Sequence, residues 1–198
     1  MWFRNHERGT ISKPFLAVLC VATVAFPPNL FANAIIFTYN GGGTAVSPRS
    51  YSDPAAWTCA PSCVSNSFPD NTVAGGSVAA IINSGQPDYV LLDTPGVITG
   101  LRLTSLTVGG SGLSSTLSAT NGSSLTLGTA DSPQYALVIG NGGILNIGES
   151  SSVALDMSSG TSASIDGGGA INLTNGSSLT LPSQLTNHGE VDVFGSIL

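Results

Sequence analysis

One octapeptide, Thr120-Asn121-Gly122-Ser123-Ser124-Leu125-Thr126-Leu127, recurs unchanged at Thr174 to Leu181, and this repetition constrains the fold more than any other feature. Looser copies of its ending lie between and around the two: Ser105-Leu106-Thr107-Val108, Ile144-Leu145-Asn146-Ile147, Ala170-Ile171-Asn172-Leu173 and Glu190-Val191-Asp192-Val193. Each copy alternates apolar with polar residues, the period of a strand with one buried face. Leu125 and Leu127 are expected to point inward, with Ser124 and Thr126 facing water. Gly or Asn-Gly precedes most copies and marks a sharp turn; no window has convincing helical spacing. Leu106, Leu125, Leu145 and Ile165 follow one another at steps of 19 or 20 residues. A regular step of that size predicts a solenoid whose coils stack one on the next, because the hairpins of a sandwich or barrel have less regular content. Past Ile165 the step shortens, to Leu179 and then Val191, so either each coil holds several similar strands or an insertion shifts the phase.

The energetics agree with stacking. Inward Leu, Ile and Val contribute roughly 1.5–3 kcal/mol each when fully buried, while ordering the backbone costs about 1–2 kcal/mol per residue. A single coil cannot stand alone, and an uncovered end is a sheet edge open to further pairing. Repeats fill residues 97–198, whereas residues 35–96 hold most of the aromatics, Arg49 and two cysteines. Ile35-Ile36-Phe37-Thr38-Tyr39 and Trp57 are expected to cover the first coil. At the other end Val191 to Leu198 stops in a repeat-like strand. That predicts a truncated product, or an edge covered by another chain through self-association.

Residues 1–34 have the parts of a cleavable signal peptide. Arg4, Arg8 and Lys13 open it, Pro14 to Phe26 is apolar, and Ala32-Asn33-Ala34 suits a signal peptidase, with the cut before Ile35. A bilayer span needs about 20 apolar residues, and this run is shorter and meets Pro27-Pro28. Cys20 follows Leu19, too large for a lipoprotein signature. Of five Lys and Arg, cleavage leaves only Arg49 and Arg102, while of eleven Asp and Glu it removes only Glu7. Nucleic acids and anionic membrane surfaces need cations to replace phosphate counterions, so no nucleic-acid partner is expected and attachment to an anionic membrane surface is disfavoured. Two cysteines remain, in Cys59-Ala60-Pro61-Ser62-Cys63. An even count in an exported chain favours a Cys59–Cys63 disulfide over half of a metal site. Its loop is too short to do more than fix a local turn.

With a signal peptide, an opening that contains Asp53-Pro54-Ala55-Ala56-Trp57 and a Pro69-Asp70 turn, and repeats of the Ser-Leu-Thr-Val-Gly-Gly and Asn-Gly-Ser-Ser-Leu-Thr-Leu-Gly kind, the chain resembles the N-terminal part of a bacterial autotransporter passenger. The resemblance, to the adhesin-like type with Gly/Ser-rich repeats, implies a right-handed parallel β-helix, all-β, with an irregular N-terminal capping segment. It also implies a location at the cell surface, in the periplasm or outside the cell, with outer-membrane association if a barrel is supplied elsewhere. Such passengers normally precede a membrane β-barrel, and none follows the repeats before Leu198.

Catalytic chemistry finds little to work with. A phosphate-binding loop needs a lysine that the mature chain lacks, and the hydrolase elbow is absent, Gly109-Gly110-Ser111-Gly112 having the wrong spacing. The only mature histidine, His188, sits in a turn-like Asn-His-Gly. Asp88 with Asp93, and Glu190 with Asp192, are the closest carboxylate pairs. Held a few ångströms apart such groups can serve as general acid and base, but on an outer face they are more simply solubilising charges that discourage edge pairing. Asn40-Gly41-Gly42-Gly43 and Asp166-Gly167-Gly168-Gly169 read as tight turns rather than calcium sites, and Asn121, Asn172 and Asn175 begin glycosylation sequons. No catalytic, cofactor-binding or metal residue is assigned. The leading expectation is a structural or adhesive module that binds host surfaces, glycans or sister chains through many weak contacts. The alternative is a polysaccharide-active β-helix enzyme, a lyase or hydrolase, which requires three or more acids gathered with Arg102 in one groove. N-terminal sequencing of exported material is expected to begin at Ile35; an intact Met1 there would overturn the signal-peptide assignment.

Overall fold

The computed structural model describes residues 35–60, 67–70, 77–92, 101–128, 135–155, 162–181 and 184–195. Strands β1 (Ile35–Tyr39), β2 (Arg49–Ser50) and β3 (Trp57–Ala60) open the chain, with a 3-10 turn at Pro54–Ala56 capped by Asp53. Three strands per coil follow. The first coil holds β4 (Val78–Ile82), β5 (Asp88–Leu92) and β6 (Leu101–Leu103); the next holds β7 (Ser105–Val108), β8 (Ser115–Ala119) and β9 (Ser124–Leu127). Then come β10 (Tyr135–Ile139), β11 (Gly143–Ile147) and β12 (Ser152–Leu155), and after them β13 (Ser162–Ile165), β14 (Ala170–Thr174) and β15 (Ser178–Thr180). Strands β16 (Leu185–Asn187) and β17 (Glu190–Phe194) begin a further coil.

Corresponding strands pair in parallel into three sheets, ordered β16-β13-β10-β7-β4-β1-β3, β17-β14-β11-β8-β5-β2 and β15-β12-β9-β6. The protein is therefore a parallel β-solenoid. No helix among the described residues is long and apolar enough to cross a membrane, which says nothing of membrane strands.

Alternation puts the expected residues inside. Leu106, Leu125, Leu145, Ile165 and Leu179 are all buried, and Val191 packs partly against the same core. The 19–20-residue step, however, is not one coil. Leu106 lies in the first sheet, Leu125 in the third and Leu145 in the second. Each step passes two strands, which is two thirds of a turn. Residues that stack in the middle coils stand 26 to 28 apart in the pairs Asn146–Asn172, Ser123–Ser151 and Ser118–Asn146, while insertions and short turns move other stacked pairs, such as Leu106 with Leu137 and Ile171 with Val191, to wider or narrower spacings. The two identical octapeptides occupy the same corner and sheet two coils apart, with Gly148 to Leu155 between them in register.

That corner is a polar ladder inside an apolar rod. Ser123, Ser151 and Ser177 are buried one above another. The Ser123 hydroxyl donates to the Leu92 carbonyl at 2.7 Å, the Ser177 hydroxyl donates to Ile147 O at 2.7 Å, and Ser123 N donates to Ser151 Oγ at 3.1 Å. Leu92 O also accepts from Thr120 N at 3.1 Å, so the serine adds a second donor to a strand-end carbonyl and ties the sharp bend to the wall at about 0.5–1.5 kcal/mol per hydrogen bond.

The N-terminal segment ends the stack as expected. β1 continues the first sheet in parallel with β4, but β3 pairs with β1 antiparallel, which stops the parallel ladder at that edge. Tyr39, Tyr51, Trp57 and Phe68 pack edge-to-face, with ring centroids 5.0, 5.4 and 6.4 Å apart. Trp57 Nε1 donates to Tyr51 O at 2.8 Å and the Tyr51 hydroxyl to Pro69 O at 3.1 Å, so the polar atoms of the cluster are satisfied. At the opposite edge Leu185, Val193 and Phe194 are exposed. Ile197 and Leu198 lie outside the described residues.

Close stacking also fixes two backbone positions. A Cβ on Gly143 would stand 2.1 Å from Val108 O. At the serine corner Asn121-Gly122 and Asn175-Gly176 adopt positive φ, and the coil between them uses Glu149 (φ 51°) and Ser150 (φ 62°) instead. A left-handed conformation costs a non-glycine residue roughly 1–2 kcal/mol. Offset by the greater unfolded-state entropy of glycine, Ser150→Gly should stabilise the protein by about 0.5–1 kcal/mol. Gly143→Ala should destabilise it by about 1–3 kcal/mol or more, as overpacking does. Urea denaturation of both variants checks this; equal and opposite signs to those given would refute the packing at these corners.

Candidate functional site

On the outer face of the second sheet a loop lies over the solenoid wall. Between β1 and β2 the chain turns at Gly41, Gly42 and Gly43, all with positive φ, and forms a small hairpin in which Thr44 and Ser47 exchange backbone hydrogen bonds at 2.9 and 3.1 Å. Glycine is required at position 43, where a Cβ would lie 2.4 Å from Tyr89 O. Tyr89 N donates to Gly42 O at 3.4 Å, which docks the loop against β5.

Side chains hold the loop from behind. The buried Tyr39 hydroxyl donates to Gly42 O at 3.1 Å, and Arg49 Nη1 to Gly41 O at 3.3 Å. Arg49 Nε also donates to Asp53 Oδ2 at 2.8 Å. That bond, with the Ala55 amide on Oδ1, holds the Asp53 carboxyl below its ordinary value. Asp53 is exposed enough that the pair contributes little through charge alone; its use is to orient Arg49. Burial pushes the Tyr39 phenol up to about 12 against the opposing charge of Arg49, with Asp88 and Asp53 adding to the rise. Asp88 is fully buried at the β4–β5 corner, where it accepts from Ser84 N at 2.9 Å, Ser84 Oγ at 2.5 Å and Ser115 Oγ at 3.2 Å.

The result is a groove of about 220 Å³ between the loop and the sheet, lined by Ala45, Pro48, Tyr89, Val90, Thr116, Ser118 and Asn146. Register explains how residues distant in sequence meet there. Tyr89 stands beside Thr116, and Ser118 beside Asn146, on neighbouring strands of one outer face. Asn146 Nδ2 donates to Ser118 Oγ at 3.3 Å, while Asn146 Oδ1 accepts from Asn172 Nδ2 at 2.8 Å. This chain fixes the amide and still leaves one N–H of Asn146 and the hydroxyl proton of Ser118 uncommitted. No charged side chain lines the groove.

The residues singled out from sequence do not gather here. Arg102 is exposed on β6, in register with Thr126 of the third sheet. Glu190 and Asp192 lie on the outer face of β17, paired with Ala170 and Asn172. Asp93, the other half of the Asp88 pair, lies outside the described residues, as do Cys63 and residues 1–34. Cys59 is half-buried in β3. His188 is exposed in the β16–β17 turn, and Asp166 in the glycine turn before β14. Asn121 and Asn175 are exposed at the serine corner, whereas Asn172 belongs to the amide ladder. Among the described residues no three His, Cys, Asp or Glu side chains come together as a metal site would need. The groove itself escaped the sequence, because its four polar residues come from three strands and are linked only by register.

No family model matches this chain, and neither the curated proteins nor the solved structures include a significant match to it. The fold thus defines a class, the parallel β-solenoids, and the chemistry has to be argued from the site.

The Tyr39 and Tyr51 phenols make the cap sensitive to alkali. Both are raised above the ordinary value of 10.0, Tyr51 mainly by complete burial and then by Asp70. A raised folded pKa contributes stability that is full below the unfolded value and is lost as pH climbs through the folded one. Stability should therefore fall as pH rises from about 10 towards 12. In a Tyr89→Phe/Tyr135→Phe double variant, phenolate absorbance should appear together with loss of the strand circular-dichroism signal. Full phenolate absorbance with the strand signal intact would show that these rings are not buried as described.

Proposed function

We propose that this chain is an exported structural and adhesive β-solenoid, a surface or secreted module of the autotransporter-passenger type that binds through its outer faces. The observation that carries this reading is the hydrogen-bonded outer row Ser118–Asn146–Asn172, a rigid and uncharged set of donors and acceptors repeated at the strand spacing. The first sheet supports it with a second row, Thr38, Ile81, Thr107, Val138, Ser164 and Thr186, in register and without a charge. Many weak contacts along a stiff rod give avidity without any single strong site. Export is supported by the composition of residues 1–34 and by the scarcity of lysine and arginine after them. Cleavage before Ile35 is compatible with β1, since an amino group there can still donate to Ser77 O, which the Ile35 amide reaches at 2.9 Å. A Cys59–Cys63 disulfide belongs to the same proposal. The polysaccharide-active alternative required acids gathered around Arg102, and the described carboxylates are spread over different sheets.

The test is retention of glycan-coated and protein-coated beads on a surface bearing the exported protein. Binding should be saturable, should survive raised salt because it does not depend on ion pairs, and should release no sugar fragments. Retention that vanishes at raised salt, or cleavage of the coating, would sink the adhesive reading.

A further inference from the structure

We propose that the groove beneath the Gly41–Pro48 loop is a binding site for one residue of a neutral glycan; this rests on the adhesive reading and names its ligand. Three observations converge. The first is shape: a concavity of about 220 Å³, below the roughly 300–1,000 Å³ of pockets for drug-sized ligands, is a volume for a single sugar ring whose neighbours leave along the rod. The second is the lining. Tyr89 offers an aromatic ring with a polar tip, Ala45 and Pro48 offer apolar contact, and Thr116, Ser118 and Asn146 offer hydroxyl and amide groups. A sugar presents the matching pattern, C–H groups on its faces and hydroxyls around its edge.

The third observation is that the polar groups still have capacity. Among the described residues the Tyr89 and Thr116 hydroxyls make no hydrogen bond. Ser118 and Asn146 each keep a donor after their mutual bond is counted. Meanwhile Asn172 and Ser118 hold the Asn146 amide in place, so little ordering is needed when a ligand arrives.

Charge and topology exclude the main competitors. Arg49, the cation that holds the loop, is committed to Asp53 and Gly41 O, so a sulfated or sialylated sugar gains no partner from it. A peptide adding itself as a strand needs free backbone groups, yet β5, β8 and β11 are already paired side by side in the interior of the sheet. What remains is recognition by side chains alone, which suits an uncharged saccharide.

The experiment is titration calorimetry of the exported chain with glucose, galactose, mannose, N-acetylglucosamine and their β-linked disaccharides, beside sulfated and sialylated sugars. At least one neutral sugar should bind saturably, with the anionic ones no better. Tyr89→Ala and Asn146→Ala should each weaken that binding by about tenfold, the loss expected for one or two hydrogen bonds and a ring contact. Thr126→Ala, on the third sheet, should leave it unchanged. Thermal melts establish that each variant folds, and Tyr89→Phe, which removes only the hydroxyl, serves if Tyr89→Ala does not. Equal affinity in folded Tyr89 and Asn146 variants overturns the groove assignment, as does a preference for anionic sugars. Adhesion to beads without any saturable saccharide binding overturns it too while leaving the adhesive reading standing. Loss of both adhesion and saccharide binding removes the two together.

Discussion

Parallel in-register pairing between coils is the constraint on which everything else depends. Each strand in the interior of the three sheets takes its backbone partners from the coil before and the coil after, so no inward residue there can change register without moving its neighbours. The inner stacks show the consequence. Phe37, Ala80, Leu106, Leu137 and Ala163 stand one above another, large beside small, and each is essentially buried. Interior packing tolerates such alternation because total volume, rather than each residue, has to be matched.

Corners pose the harder problem, since a coil of three strands must turn while keeping its backbone groups paired. Two solutions are used. At the first-to-second-sheet corner the chains approach so closely that Gly143 has no room for a side chain. At the corner before the third sheet, buried serine hydroxyls give a further donor to carbonyls at the strand ends, Leu92 O among them, which also accepts from Thr120 N at 3.1 Å. Glu149 and Ser150 hold positive φ between two Asn-Gly copies because the turns above and below impose it: Gly122 N donates to Glu149 O at 2.9 Å and Ser150 N to Asn175 O at 3.2 Å. Glu149 Oε2 accepts from Asn121 N at 3.1 Å, which partly offsets the strain.

The facing of each repeat was legible in the sequence because alternation has a period of two wherever one face is buried, and Leu125, Leu145 and Ile165 are inside as their neighbours required. The coil was not. Every strand carries the same inward Leu, Ile or Val, so a step of two strands looks like a repeat as well as a step of three does. Only the exact octapeptides encode the true spacing, and the copy between them, Gly148 to Leu155, has diverged at both turn positions. The aromatic cap was legible from the rarity of such residues elsewhere. The groove was hidden for a different reason: Tyr89, Thr116, Ser118 and Asn146 look like ordinary outward residues until register and an overlying loop bring them together. Outward Asn in neighbouring copies, at 146 and 172, was the one available hint.

A solenoid wall is nearly flat, and flatness limits what it can recognise. Side chains at the strand spacing give a surface that many ligands touch weakly and none fills. Concavity needs a second layer, and the segment that supplies it here is the one that departs from the repeat. The Gly41–Pro48 loop is also where the clamp of Tyr39, Arg49 and Asp53 is concentrated. A loop held only by its ends would have to be ordered by each ligand, whereas one tied to a buried tyrosine and an oriented arginine is ordered beforehand. The same cap that stops strand pairing at the N-terminal edge therefore also builds the wall of the groove. The rest of the rod can then vary in length and turn sequence without disturbing that site, since each coil contacts only its neighbours.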